Sequence, residues 1–206
     1  MTITKEHWLE GALRISYPEG IVMPIRRFAI AHFTCGASAM SSVEFWKTPE
    51  AKGAEAHVIV DRDGIIYQIR PFNQKCDHAG ASRWWDSKIK YENLNSCSIG
   101  VEFANAGDGA NSDGTAFDSH RFKCPAGVRL AKHKNGGPMT NWEIFPEIQI
   151  NSGIEVFKAI VSKYKLDDLV GHDDIAPDRK NDPGPLFPML KIRESCGFTG
   201  LPKRLS

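Results

Sequence analysis

His57-Val58-Ile59-Val60-Asp61-Arg62-Asp63-Gly64-Ile65-Ile66-Tyr67-Gln68-Ile69-Arg70 contains two runs rich in β-branched residues, joined by Arg62-Asp63-Gly64. An Asp-Gly step between apolar runs is a strong short-range hairpin signal, because glycine admits the positive φ that tight hairpin turns require. The spacing predicts strands over 57–61 and 64–70, antiparallel to each other. Such a hairpin argues against an all-parallel sheet.

Working outward, Arg27–Phe33 is a short apolar run that reads as a buried strand with His32 near its end. Cys97–Phe103 and Leu169–His172 read as further strands. Apolar residues at Ile150, Ile154, Phe157, Ile160, Val161 and Tyr164 follow helical spacing after Pro146. Ser41 or Ser42 is a candidate cap for a small helix that runs through Trp46 and that Pro49 ends. Trp8, Leu9, Ala12 and Leu13 share one stripe if Lys5–Arg14 is helical, and Pro18-Glu19-Gly20 closes that element. A last short helix or tail follows Pro188. Strands alternating with helices predict one α/β domain over residues 1–206, with a central mixed sheet flanked by helices and a core of about 27–190. Residues 104–141, after the Glu102 strand, lack clear periodicity and read as a long loop insertion, functional or mobile: a hairpin or lid near the site, or a solvent-facing insertion.

Composition narrows the function classes. The chain has 206 residues and a net charge of +1, from 26 Lys+Arg against 25 Asp+Glu. No basic excess points to nucleic acid, and no apolar run reaches the roughly 18 residues of a membrane span. Met1–Gly20 lacks the basic and apolar blocks of a secretory signal, and the five cysteines form no CxxC pair. These features predict a cytoplasmic protein with free thiols, no membrane insertion, and a monomeric state.

The densest chemistry lies in Gly171-His172-Asp173-Asp174-Ile175-Ala176-Pro177-Asp178-Arg179-Lys180-Asn181-Asp182-Pro183-Gly184-Pro185. By itself this stretch also reads as a charged surface turn stiffened by proline. A second histidine at a strand end, His32, changes the reading, since His32 and His172 meet if their strands are neighbours. Asp182 completes three protein ligands and leaves a fourth position open, the pattern of catalytic zinc. Imidazole and carboxylate suit Zn²⁺ better than the all-oxygen shells of Mg²⁺ or Ca²⁺. In Ser98-Ile99-Gly100-Val101-Glu102-Phe103, alternation places Glu102 opposite the apolar Ile99, Val101 and Phe103. Glu102 is therefore a candidate base, and Lys180, two residues before Asp182, a candidate for the oxyanion. A strand-end carboxylate facing solvent and a solvated lysine are the alternative readings of those two residues.

The order of segments resembles the zinc-dependent N-acetylmuramoyl-L-alanine amidases of the amidase-2 family, which includes recycling amidases, phage amidase endolysins and peptidoglycan-recognition proteins. The pieces that carry it are Ile30-Ala31-His32-Phe33-Thr34, Ala56 to Gln68, Asp77-His78-Ala79-Gly80-Ala81-Ser82, Asn95 to Glu102, and Gly171 to Pro185. The last is the most specific, because GH-x-DIAP-x-RK-x-DPGP combines ligands, cation and turn. The resemblance implies His32, His172 and Asp182 as zinc ligands, Glu102 and Lys180 as catalytic residues, and peptidoglycan or a muropeptide as substrate. His57, His78 and Arg179 sit in matching motifs and are expected to line the substrate pocket or support it. Asp77 stands where many recycling members carry an aromatic residue. Together with the insertion, this departure leans the expectation toward an endolysin-like enzyme over a recycling one. A non-catalytic peptidoglycan-binding module is the rival reading, disfavoured by the intact ligand and catalytic positions.

Overall fold

The computed structural model describes residues 1–85, 88–116 and 122–203. Its strands are β1 (Leu13–Arg14), β2 (Phe28–Phe33), β3 (Val58–Val60), β4 (Ile66–Gln68), β5 (Arg83–Trp85), β6 (Lys90–Glu92), β7 (Ser98–Phe103), β8 (Val128–Lys132), β9 (Met139–Glu143) and β10 (Asp168–Gly171). Its α-helices are α1 (Ala39–Trp46), α2 (Glu147–Tyr164), α3 (His172–Ile175) and α4 (Met189–Ser195). Six strands form one sheet in the order β1-β4-β3-β7-β2-β10. Only β3–β4 pair antiparallel within it, and these are the two arms of the expected hairpin.

Every residue of β2 is buried, as expected of a central parallel strand covered on both faces. Strand alternation divides those residues between two cores. Ala29, Ala31 and Phe33 of β2, with Ile99, Val101 and Phe103 of β7, pack under Ile154, Phe157 and Ile160 of α2. A Cβ on Gly153 would stand 2.4 Å from the Phe103 ring, so glycine lets α2 lie this close to the sheet. On the opposite face, Phe28 and Ile30 meet Trp84, Leu94 and Ile175, and Ile59 meets Ala39, Val43 and Trp46 around α1. This second face carries the polar members of the strands. His32 of β2 pairs in register with Glu102 of β7, and Ile59 of β3 flanks Glu102 on its other side.

Three local expectations are corrected. Residues 5–14 are not helical: His7 and Gly11 have φ of +67° and +87°, and Ile3 bridges Leu9 across a tight turn. Leu9 is drawn into the core instead, with its N–H donated to the buried Gln68 side chain at 2.7 Å. The cap of α1 is Ser38, whose side chain accepts from the Ser41 N–H, so the helix starts before Ser41. The strand expected over Leu169–His172 stops at Gly171, and His172 opens α3.

The segment after β7 is also more ordered than a loop. It holds the β8–β9 hairpin, with Trp142 packed edge-on to Phe33; residues 117–121 of it lie outside the described residues. Glu143, at the end of β9, is buried and receives both Nε and Nη2 of Arg62, at 2.6 and 2.7 Å, and the Ala106 N–H at 2.6 Å. Arg62 in turn donates to the carbonyls of Gly36 and Ala37. One bidentate pair thus ties the hairpin to the β3–β4 turn and to the loop before α1.

Two stability predictions follow from buried polar groups. Glu143→Ala leaves Arg62 largely buried without its carboxylate and should cost roughly 3–5 kcal/mol in urea unfolding. His57, just before β3, accepts the Gly100 N–H on Nδ1 at 3.2 Å and donates Nε2–H to the Gln74 carbonyl at 2.8 Å. Burial pushes its pKa down to about 4, from 6.5 in the open chain. The unfolded chain therefore binds the extra proton first. The stability tied to the neutral ring is complete above about pH 6.5 and is lost as pH falls toward about 4, on the order of 3 kcal/mol in all. Urea midpoints measured between pH 7 and 4.5 should show that slope, and His57→Gln should make it shallower.

Candidate metal centre

Parallel pairing brings the two expected histidines together. Gly171 is the register partner of Ala31, so His172, the next residue along, arrives beside His32 with ring centroids 4.5 Å apart. The chain then loops back, closed by the Asp173 N–H donating to the Asp182 carbonyl at 2.7 Å, and this presents the Asp182 carboxylate to both rings. His32 Nδ1 and His172 Nδ1 are 3.0 Å apart, and each is 2.9 Å from Asp182 Oδ2. All three side chains are buried.

This triangle is a group able to hold a metal ion. His172 Nε2 faces the Ala79 carbonyl at 3.2 Å, an acceptor that fixes the ring proton on Nε2 and leaves Nδ1 a lone pair. Electron-rich atoms this close repel one another unless a proton or cation lies among them. Ligand atoms around one small tetrahedral cation are about 3.3 Å apart for bonds of about 2.0 Å, so the triangle needs little expansion. Burial, and then the neighbouring His172, push the His32 pKa down to about 4, which keeps that ring from supplying the proton at neutral pH. Burial opposes ionisation of Asp182, yet the two imidazoles hold its carboxyl well below the usual carboxylate range.

A cleft of about 690 Å³ opens above the triangle, reaching past Glu102 and Lys180 to Phe45 of α1. Glu102 Oε2 is fully enclosed and has no hydrogen-bond partner among the described residues. Burial raises the Glu102 pKa well above the ordinary carboxylate value; the Asp182 charge adds to that, and Lys180 acts against it. The Lys180 ammonium lines the cleft and has no ion-pair partner among the described residues. A depression of about 740 Å³ beside α4, lined by Pro188, Leu190 and Leu201, gathers no comparable set of groups.

The remaining expected pocket residues divide. His57 lies beneath the sheet face, with both nitrogens bonded to backbone, and does not line the cleft. His78 lines it, but its nitrogens face His32 Nε2 and Ser98, which leaves neither free for a substrate. Arg179 donates to the carbonyls of Ala79 and Ala81 at 2.8 and 2.9 Å, stapling the 78–81 loop to the segment after α3. Sequence reading missed two supports of the ligand loop. Asp108 accepts from Asn181 at 2.8 Å, and the β8–β9 turn grips Asp173 through His133 at 3.0 Å and Asn135 at 2.8 Å. Neither pairing has a local sequence signal, since each joins residues 38 or more positions apart.

The family profile described as Amidase_2, N-acetylmuramoyl-L-alanine amidase, matches residues 22–185. The N-acetylmuramoyl-L-alanine amidase AmiD of Escherichia coli (strain K12) is 32% identical over 131 residues, 63% of this chain and 37% of AmiD. The 1,6-anhydro-N-acetylmuramyl-L-alanine amidase AmpD of the same strain is 30% identical over 138 residues, 67% of this chain and 56% of AmpD. The chain thus spans about half the length, or less, of these relatives. The solved complex of E. coli AmiD with the substrate anhydro-N-acetylmuramic acid-L-Ala-D-gamma-Glu-L-Lys aligns with a TM-score of 0.61 at 26% identity, over 87% of this chain and 60% of that one. With the fold and the His-His-Asp cluster in agreement, the match over 22–185 establishes that this chain belongs to the Amidase_2 family.

Proposed function

We propose that the protein hydrolyses the amide between the lactyl group of N-acetylmuramic acid and L-alanine, in peptidoglycan or in muropeptides, with zinc held by His32, His172 and Asp182. The observation that carries this reading is the convergence of those three side-chain atoms beside a carboxylate, Glu102, whose enclosed oxygen has no partner among the described residues. Two imidazoles and one carboxylate form a donor set that zinc favours. Zinc bound there lowers the pKa of water and polarises a carbonyl.

The chain's own residues supply the proton traffic and the charge balance. Glu102 accepts a proton from the attacking water as the oxygen adds to the lactyl carbonyl. It then delivers that proton to the alanine nitrogen as the C–N bond breaks, giving a carboxylate and a free amine. Burial raises its pKa above the ordinary carboxylate value, which makes it a stronger base than an exposed carboxylate. Lys180, without an ion-pair partner among the described residues, faces the negative charge that builds on the carbonyl oxygen. The open cleft leaves room for a glycan strand as well as for a small fragment.

The test is release of stem peptides from purified sacculi and from a soluble anhydromuropeptide, with and without a chelator. Chelator-sensitive release that zinc restores is expected. Glu102→Ala should lower turnover by about 10²–10⁴-fold while keeping its zinc. Binding of either substrate without cleavage, in a zinc-replete sample, would make the protein a recognition module and overturn the reading.

A further inference from the structure

The ring of His78 sits against Gly100 of β7. A Cβ on Gly100 would stand 2.5 Å from His78 Cγ, so only glycine lets the imidazole settle there. Its Nδ1 is 3.0 Å from His32 Nε2, and the two rings meet edge to face at 86°. Its Nε2 lies 3.3 Å from the Ser98 carbonyl and 3.2 Å from Ser98 Oγ. Ser98 Oγ donates to the Leu94 carbonyl at 2.7 Å.

These partners leave one assignment of the protons. Leu94 O can only accept, so the Ser98 hydroxyl hydrogen is committed to it, and Ser98 Oγ is left as an acceptor. The Ser98 carbonyl is likewise an acceptor. His78 Nε2 faces both and must carry the ring proton, which makes His78 Nδ1 a lone pair. His32 Nε2 then has to donate, and the lone pair of His32 is placed on Nδ1, toward His172 and Asp182. Reversing any member of the chain sets two donors or two acceptors against each other at hydrogen-bond distance.

We infer that His78 is a positioning residue: as the neutral acceptor at the end of the Leu94–Ser98–His78 chain, it fixes the tautomer and ring orientation of His32, so that Nδ1 is held ready for a metal. The role is independent of which amide the enzyme cleaves, although its use in catalysis rests on the zinc reading above. A histidine in this place differs from the carboxylate or carbonyl that usually supports a metal-binding imidazole. It is neutral, and its own proton is pinned by backbone and a hydroxyl, so it adds no charge to the centre.

The experiment is long-range ¹H–¹⁵N NMR on the ¹⁵N-histidine-labelled full chain, metal-free and zinc-loaded, with zinc affinity measured by chelator competition. In the wild-type protein the His78 proton is expected on Nε2, with coupling across the hydrogen bond from His32 Nε2–H to His78 Nδ1. His78→Asn retains an acceptor oxygen and should bind zinc within about threefold of wild type. His78→Leu removes the acceptor and should lose about 10–100-fold in zinc affinity. A wild-type spectrum with the His78 proton on Nδ1 would overturn the inference whether or not any variant folds. Folded His78→Leu with unchanged zinc affinity would overturn it equally. Failure of amidase activity with the expected spectrum would reject the proposed reaction and leave the tautomer assignment standing.

Discussion

The parallel register of β2 between β7 and β10 is the constraint on which the centre depends. It places His32 directly across from Glu102 and delivers His172 to the neighbouring position, all on the face that α2 does not cover. Strand alternation makes this consequence unavoidable: the same register that buries Ala31, Phe33, Val101 and Phe103 under α2 turns the polar members the other way. A slip of one residue would reverse both faces together. The hydrophobic core therefore enforces the geometry of the site, and the stability gained on one face offsets the cost of enclosing two imidazoles and two carboxylates on the other.

Support for the centre comes from parts of the chain distant in sequence. Arg179 and the Ala79 carbonyl lock His172 to the 78–81 loop, while Asp108 and the β8–β9 turn hold the loop that carries Lys180 and Asp182. Lys134, at the same turn, pairs with both Asp173 and Asp174. The segment after β7 is consequently part of the frame around the His32–His172–Asp182 cluster. Its own anchor is the buried Arg62–Glu143 pair, which returns the frame to the hairpin that defines the sheet.

Features with a local cause were legible in the sequence. Asp63-Gly64 announced the hairpin, helical spacing announced α2, and alternation in SIGVEF gave the facing of Glu102. The grouping of His32, His172 and Asp182 was legible because His32 lies near the end of β2, His172 directly follows the neighbouring β10, and Asp182 sits in a proline-stiffened return. What escaped reading depends on contacts at long range. The stripe of Trp8, Leu9, Ala12 and Leu13 has helical spacing, but Leu9 is held by Gln68 and the core, and tertiary burial outweighs that local preference. The β8–β9 hairpin has exposed residues at Leu130 and Met139 and gains its order from Trp142 and Glu143, so its periodicity is weak. His78 lay in a recognised motif, but its task is set by Gly100 and Ser98 and is invisible without the register.

The most direct test of a His32–His172–Asp182 centre is X-ray absorption spectroscopy of the zinc-loaded protein. The structure predicts a four-coordinate shell of two imidazole nitrogens and oxygen donors only, at about 2.0–2.2 Å. Cys35 lines the same cleft, so a sulfur scatterer near about 2.3 Å is the physically available alternative. A sulfur in the shell, or a shell with fewer than two imidazoles, would contradict the account.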